Sequence, residues 1–347
     1  MAYTTINKPN LHFNTVLWTG TGSSMSITGV GFQPDWVWYK GRSFAYNHGL
    51  FDVVRGTTNF LKSNSTDVEA SVSGVTAFNS DGFSLGTDAG GVGSGHTFVA
   101  WNWKANGAGV SNTAGSITST VSANTTAGFS IVKWTPPTAS TPQTIGHGLG
   151  VAPSMMIVKN REVAISWRVY HKSLGNTKAL DLNNTNTPVT DSGFWENTTP
   201  TSTVFTTGNG NGYSTGGSTD DFIAYCFAEV KGFSKFGSYV GNGSTDGTFV
   251  YTGFKPAFVI MKRSDSADHW VIKDSVRDSF NLANKRIYPN QSAVEDTSVN
   301  GSIDILSNGF KQRGSDTITN ASGGTYIYMA FAEQPLVGTN DVAATAR

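Results

Sequence analysis

An eight-residue apolar run near the end of the chain, Tyr326-Ile327-Tyr328-Met329-Ala330-Phe331-Ala332-Glu333, has two upstream counterparts. They are Phe222-Ile223-Ala224-Tyr225-Cys226-Phe227-Ala228-Glu229 and Phe98-Val99-Ala100-Trp101-Asn102-Trp103-Lys104-Ala105. In register, one side-chain set reads Val99/Ile223/Ile327, Trp101/Tyr225/Met329 and Trp103/Phe227/Phe331. The alternate set reads Phe98/Phe222/Tyr326, Ala100/Ala224/Tyr328 and Asn102/Cys226/Ala330. Successive side chains on a strand point to opposite faces, so both faces are apolar, and each copy predicts a strand in mid-sheet, covered on both sides. The aromatic enrichment, with Gly, Ser and Asp just upstream, favours strand over helix for so short a run.

A second marker repeats with the first. Gly31-Phe32-Gln33-Pro34-Asp35-Trp36-Val37-Trp38-Tyr39-Lys40, Gly150 to Lys159 and Gly253 to Lys262 share Gly, Pro and Lys at the same offsets, with four apolar residues before each lysine. Proline has no amide to donate and belongs at a strand's entry; the apolar quartet is the buried strand that follows. Forty glycines and only 14% charged residues fit an all-β chain, and 347 residues exceed a single core. The predicted architecture is therefore all-β, with three tandem β-sandwich, jelly-roll-like repeats over 13–107, 129–232 and 233–335. Residues 1–12 read as a polar arm, 108–128 as a Gly/Ser/Thr/Ala linker and 336–347 as a tail.

Lysine plus arginine balances aspartate plus glutamate at 24 each, which gives no reason to expect nucleic acid or an anionic membrane as a partner. No apolar run approaches a membrane span and the first residues lack signal-peptide regions, so a soluble product made in a cytoplasm, without membrane insertion, is expected. The lone Cys226 reads as a small buried hydrophobe. The histidines at 12, 48, 96, 147, 171 and 269 show no metal-ligand spacing, so neither a metal nor a cofactor is expected. Asp181 to Asn186 offers oxygen ligands for calcium as well as ordinary turn chemistry. The glycine clusters at 90–95 and 208–212 lack the Lys-Ser/Thr of a phosphate loop and read as turns. Asp220, Asp221, Glu229 and Glu333 are the acids available for glycosidase chemistry. Adjacent aspartates on a strand diverge, and the two glutamates end repeated strands, so no catalytic residue is assigned.

Aromatic rings stack on sugar faces while their polar edges stay wet. Trp36, Trp38, Trp101 and Trp103 lie in the repeated strands and read as core. Tyr46 and His48, then Phe194, Trp195 and Glu196, then Asp265, Asp268 and His269 follow the proline–lysine strand of their unit, where the copies differ; ligand binding and local packing both remain open for them.

The proline–lysine strand, Ser122 to Val132, Gly146-His147-Gly148-Leu149-Gly150-Val151-Ala152-Pro153 and the closing Tyr326 to Glu333 together resemble a repeated domain of unknown function found in proteins of marine tailed bacteriophages. The similarity runs from about Thr5 to Arg347; the first unit departs from it, with Trp103-Lys104-Ala105 in place of Phe-Ala-Glu. Those relatives are described as tail-fibre or other virion structural proteins, so the resemblance implies a place on a virion, among other virion proteins, and carries no catalytic residue. A non-enzymatic tail-fibre or related component that binds a bacterial surface glycan is the leading expectation. A capsid decoration or head-fibre protein is the alternative, and a polysaccharide-degrading tailspike comes third. Uncovered sheet edges and apolar faces lead to the expectation of a homo-oligomer, a trimer foremost.

Overall fold

The two repeated markers become the two inner strands of one sheet design. In the computed structural model, which describes residues 3–137, 141–208, 220–338 and 343–345, the proline–lysine segments form Trp36–Gly41, Met155–Asn160 and Phe254–Arg263, called here the lysine strands. The apolar runs form Thr97–Trp103, Phe222–Phe227 and Thr325–Pro335, the closing strands. Each closing strand lies between a lysine strand and an opening strand: Phe13–Thr19, Phe129–Trp134 or Ser234–Val240. A return strand, Gly49–Asp52, Arg168–His171 or Trp270–Asp274, flanks the lysine strand. The antiparallel order opening, closing, lysine, return thus occurs three times. Pro34 and Pro153 precede their strands as expected, whereas Pro256 sits inside its strand at a register shift, where the missing amide breaks no regular ladder.

Each such sheet is one layer of a sandwich. The second layer is smaller: Met25–Thr28, Val75–Asn79 and Gly82–Leu85 in the first unit, Gln143–Gly146 with Val204–Thr207 in the second, and Phe249–Tyr251, Ile303–Leu306 and Gly309–Gln312 in the third. The all-β sandwich class is what the sequence predicts. The alternation along the inner strands decides what each face meets. Val37, Tyr39 and Ala100 face the first unit's own core, and Met156, Val158, Ala224 and Cys226 face the second unit's. Trp36, Trp38, Val99, Trp101 and Trp103 instead join Met155, Ile157, Ile223, Tyr225 and Phe227, and Phe258, Ile260, Ile327, Met329 and Phe331, in one shared core.

That shared core corrects the expectation of three separate sandwiches. The equivalent residues Trp103, Phe227 and Phe331 meet pairwise, with ring centroids 6.3, 6.0 and 5.8 Å apart, so the three sheets turn their inner faces to a common pseudo-threefold axis. Two outlying segments are also folded. Ile6 is buried in the shared core, and the Tyr3 hydroxyl donates to the Gly253 carbonyl at 2.7 Å, so the arm closes the proline end of the axis. The expected linker supplies Val110–Asn112 and Ser119–Asn124, two added strands on the outer edge of the second unit's opening strand.

Candidate functional site

At the lysine end, each unit leaves its lysine strand through a loop that locks onto a neighbour. His48, Trp167 and Trp270 occupy one equivalent position at the start of the return strand. Their ring nitrogens reach the carbonyls of Tyr288 (3.0 Å), Lys62 (2.8 Å) and Asp181 (2.9 Å), which are themselves equivalent positions in the adjoining unit. His48 Nδ1 accepts from Trp38 Nε1 at 2.9 Å, which leaves Nε2 as the protonated nitrogen that donates to Tyr288. His48 is 0% exposed, and burial holds its pKa well below the usual value, so it stays neutral.

A buried polar ladder reinforces two of the three seams. Arg161 pairs with Glu69 (2.5 Å), Glu69 with Arg55 (2.8 Å) and Arg55 with Asp52 (2.5 Å), while the Tyr225 hydroxyl donates to Asp52 (2.8 Å). Arg42, Glu295, Arg277, Asp274 and the Trp101 indole repeat this between the third and first units.

The sequence-predicted contact residues divide accordingly. His48 serves a seam. Phe194 and Trp195, each 1% exposed, lie in the second unit's own core, where Trp195 packs edge-on to Tyr170 and donates to the Lys178 carbonyl at 3.0 Å. Neither ring has a free face for a sugar. Glu196 is half-buried with a left-handed backbone, φ 51°, in the turn that follows. Asp265 is held by Arg263 (3.0 Å), the Asp268 amide donates to the Thr185 carbonyl, and His269 lies half-buried beside Tyr288, with its Nδ1 2.8 Å from Asn290 Nδ2. The Tyr46 amide donates to the Ser292 carbonyl, so Tyr46, His48 and His269 gather around residues 288–292. The second group sits apart, since Lys178 lies level with the proline end of the return strand.

Of these residues Tyr46 has the setting of a contact residue. Its half-exposed ring lies 5.7 Å from that of Phe44, which stacks on His96 at 4.2 Å and 23°. Its hydroxyl donates to Asp88 Oδ1 (3.1 Å), and the buried Tyr39 hydroxyl donates to Oδ2 (3.2 Å). Burial first, and the carboxylate second, raise both phenol pKa values, which keeps both as donors. Two glycines make the surface possible. A Cβ on Gly41 would come within 2.4 Å of the Phe44 ring, and one on Gly90 within 2.3 Å of Tyr46. Phe44, His96 and Asp88 were not singled out from sequence. The one available signal was that Asp88 and Asp316 stand at the same distance ahead of their closing strands.

The acids considered for hydrolysis are engaged elsewhere: Asp221 with Arg161 (2.7 Å), Asp220 with Asn160 (2.9 Å), Glu229 with Lys172 (2.5 Å) and Lys235 (2.7 Å), and Glu333 with Lys255 (3.2 Å). Asp181 pairs with Arg168 and accepts from Asn184. No group of three or more His, Cys, Asp or Glu side chains among the described residues is arranged to hold a metal ion, and no helix among them is long and apolar enough to cross a membrane. Gly208 is described, whereas 209–212 of the second glycine cluster lie outside the described residues. At the proline end a groove of about 750 Å³ runs between the arm and Thr125, Thr126, Val151, Glu229 and Lys231.

A family model described as a domain of unknown function, DUF7483, matches residues 8–335 as one stretch. No curated protein and no solved structure matches the chain.

Proposed function

The chain belongs to the DUF7483 family, and from that premise we propose that it is a non-enzymatic recognition domain, displayed at a tail-fibre or related exposed position on a tailed bacteriophage, that binds a host surface glycan through its lysine-end loops. The observation that carries this reading is the half-exposed Phe44, Tyr46 and His96 surface beside Asp88, which offers ring faces and a hydroxyl acceptor on a loop fixed at both ends. Scaffold rigidity positions the loop, and loops carry recognition. The family resemblance supplies the phage context. Ion pairing of the candidate acids gives the tailspike reading no support.

One observation favours the decoration reading. Phe280 is 79% exposed, beside the exposed Val276 and Leu282, on a segment that leaves the third return strand at the proline end. Apolar exposure of this kind suits docking to another virion protein. The apolar inner faces of the three sheets are covered within one chain, and the mass of the particle in solution, by light scattering, tests whether a homo-oligomer, a trimer foremost, forms as well.

The test of recognition is Phe44→Ala. It should leave the circular dichroism spectrum and melting unchanged and lower binding to host surface polysaccharide roughly tenfold, as loss of a stacking ring does. Unchanged binding, together with particles that lose heat resistance when the protein is deleted, would favour decoration.

A further inference from the structure

The units of this chain provide an internal comparison for Asp88. Asp88 and Asp316 each begin a single helical turn, Ala89–Val92 and Thr317–Asn320, and each stands the same number of residues ahead of its closing strand. In the third unit the carboxylate is neutralised: Asp316 Oδ2 pairs with the Arg286 guanidinium, and Oδ1 accepts from the Ile318 amide. In the first unit the position equivalent to Arg286 is Phe60, one residue before the Leu61 that bridges to Leu50, as Arg286 stands one before the Ile287 that bridges to Ile272. Asp88 therefore has no intramolecular cation: among the described residues no lysine, arginine or histidine nitrogen comes within 4.0 Å of it. Its partners are two phenol hydroxyls, which donate hydrogen bonds but bring no positive charge.

The surroundings favour a cation from outside. The Tyr46, Phe44 and His96 rings are half-exposed beside this carboxylate, and ring faces attract an ammonium group through their quadrupole. We propose that Asp88 and these rings hold a protonated amino group of a surface sugar; this rests on the glycan-recognition reading above and names the chemical class of its ligand. The ammonium supplies the positive charge that Arg286 supplies in the third unit, and its sugar ring lies against Phe44 or Tyr46.

The test compares two probes with the same backbone, a glucosamine tetramer with protonated amines and an N-acetylglucosamine tetramer, each titrated calorimetrically into the full chain, Asp88→Asn and Phe44→Ala. Tighter binding of the charged tetramer by about tenfold, a preference abolished in D88N with melting unchanged, is the expected result. The wild-type comparison stands alone if D88N folds poorly. Equal affinities, a preference for the acetylated tetramer, or a preference that survives D88N would each overturn the amine assignment. In those cases weakening of both tetramers by F44A would leave the glycan reading standing. If neither tetramer binds, the amine assignment fails, and the glycan reading fails with it only where F44A also leaves binding to host polysaccharide unchanged.

Discussion

Truncating His48 leaves the buried Trp38 indole N–H without its acceptor and the Tyr288 carbonyl with the Gln291 amide alone, as well as a cavity. His48→Ala should therefore cost about 2 to 4 kcal/mol of stability, read from the urea midpoint, and Trp195→Ala about 3 to 5 kcal/mol. Neither should change glycan affinity once folded protein is compared with folded protein. A His48 variant of normal stability that had lost glycan binding would overturn the structural role. The sequence showed that these residue types stood in loops that differ between units, but not that His48 closes a seam and that Trp195 fills its own unit's core. An aromatic ring that packs against a neighbouring unit and one that waits for a sugar have the same local sequence, and only the fold separates them.

At the scale of single strands the lysine strand was the most legible element. Both of its faces read as apolar, and the two alternating side-chain sets of the closing strands predicted which residues would share a face. The meaning of the lysine itself was not legible, because its acceptors are backbone carbonyls, which no residue type marks. Lys40, Lys159 and Lys262 are buried, and each Nζ donates to the carbonyl of the residue that follows, at 2.7, 2.8 and 2.8 Å, with no carboxylate salt bridge among the described residues. Lys159 also reaches the carbonyls of Thr66, Val163 and Ile165. Burial lowers all three pKa values from 10.5 to about 8. Below about pH 8 both states are charged, and the folded state bears the full desolvation penalty. Between there and 10.5 the folded lysines release protons first, so the unfolded chain binds more protons and stability rises with pH. Buried tyrosines with raised pKa values, Tyr39 and Tyr225 among them, act in the opposite sense above about pH 10 and end the rise. The urea midpoint should therefore climb between about pH 8 and pH 10. A flat profile there would refute the assignment. Lys40→Met should remove part of the climb and be nearly neutral at pH 7, whereas Lys159→Met should destabilise by about 1 to 3 kcal/mol, because it takes the donor from several carbonyls at once.

Over the whole molecule the three seams are not equivalent, and the difference predicts where the chain opens first. The seam between the second and third units has His171, Leu174, Pro188 and Ser264 at the positions of Asp52, Arg55, Glu69 and Arg161 in the first ladder, so every cation and anion of the ladder is missing together. In the ladder's place stands His171, whose Nδ1 accepts from the Ser173 amide at 3.2 Å and whose Nε2 lies 3.1 Å from the Tyr328 carbonyl, an arrangement that requires the neutral ring protonated at Nε2. Burial lowers its pKa from 6.5 to about 4. As pH falls from 6.5 towards 4 the unfolded chain takes up a proton that the folded ring refuses, so stability is lost over that window. The ladder carboxylates Glu69 and Glu295 have pKa values held below 4.5 by their arginines against an opposing desolvation, so the stability they contribute is lost only at lower pH. Hydrogen exchange on acidification should therefore appear first in 168–174 and 326–330, and later in 52–55 and 222–227. His171→Gln, whose amide still donates to Tyr328 but does not titrate, should keep the first pair of segments protected through the same window. Simultaneous loss at all four segments, or an unchanged profile in the glutamine variant, would show that this seam is no weaker than the other two.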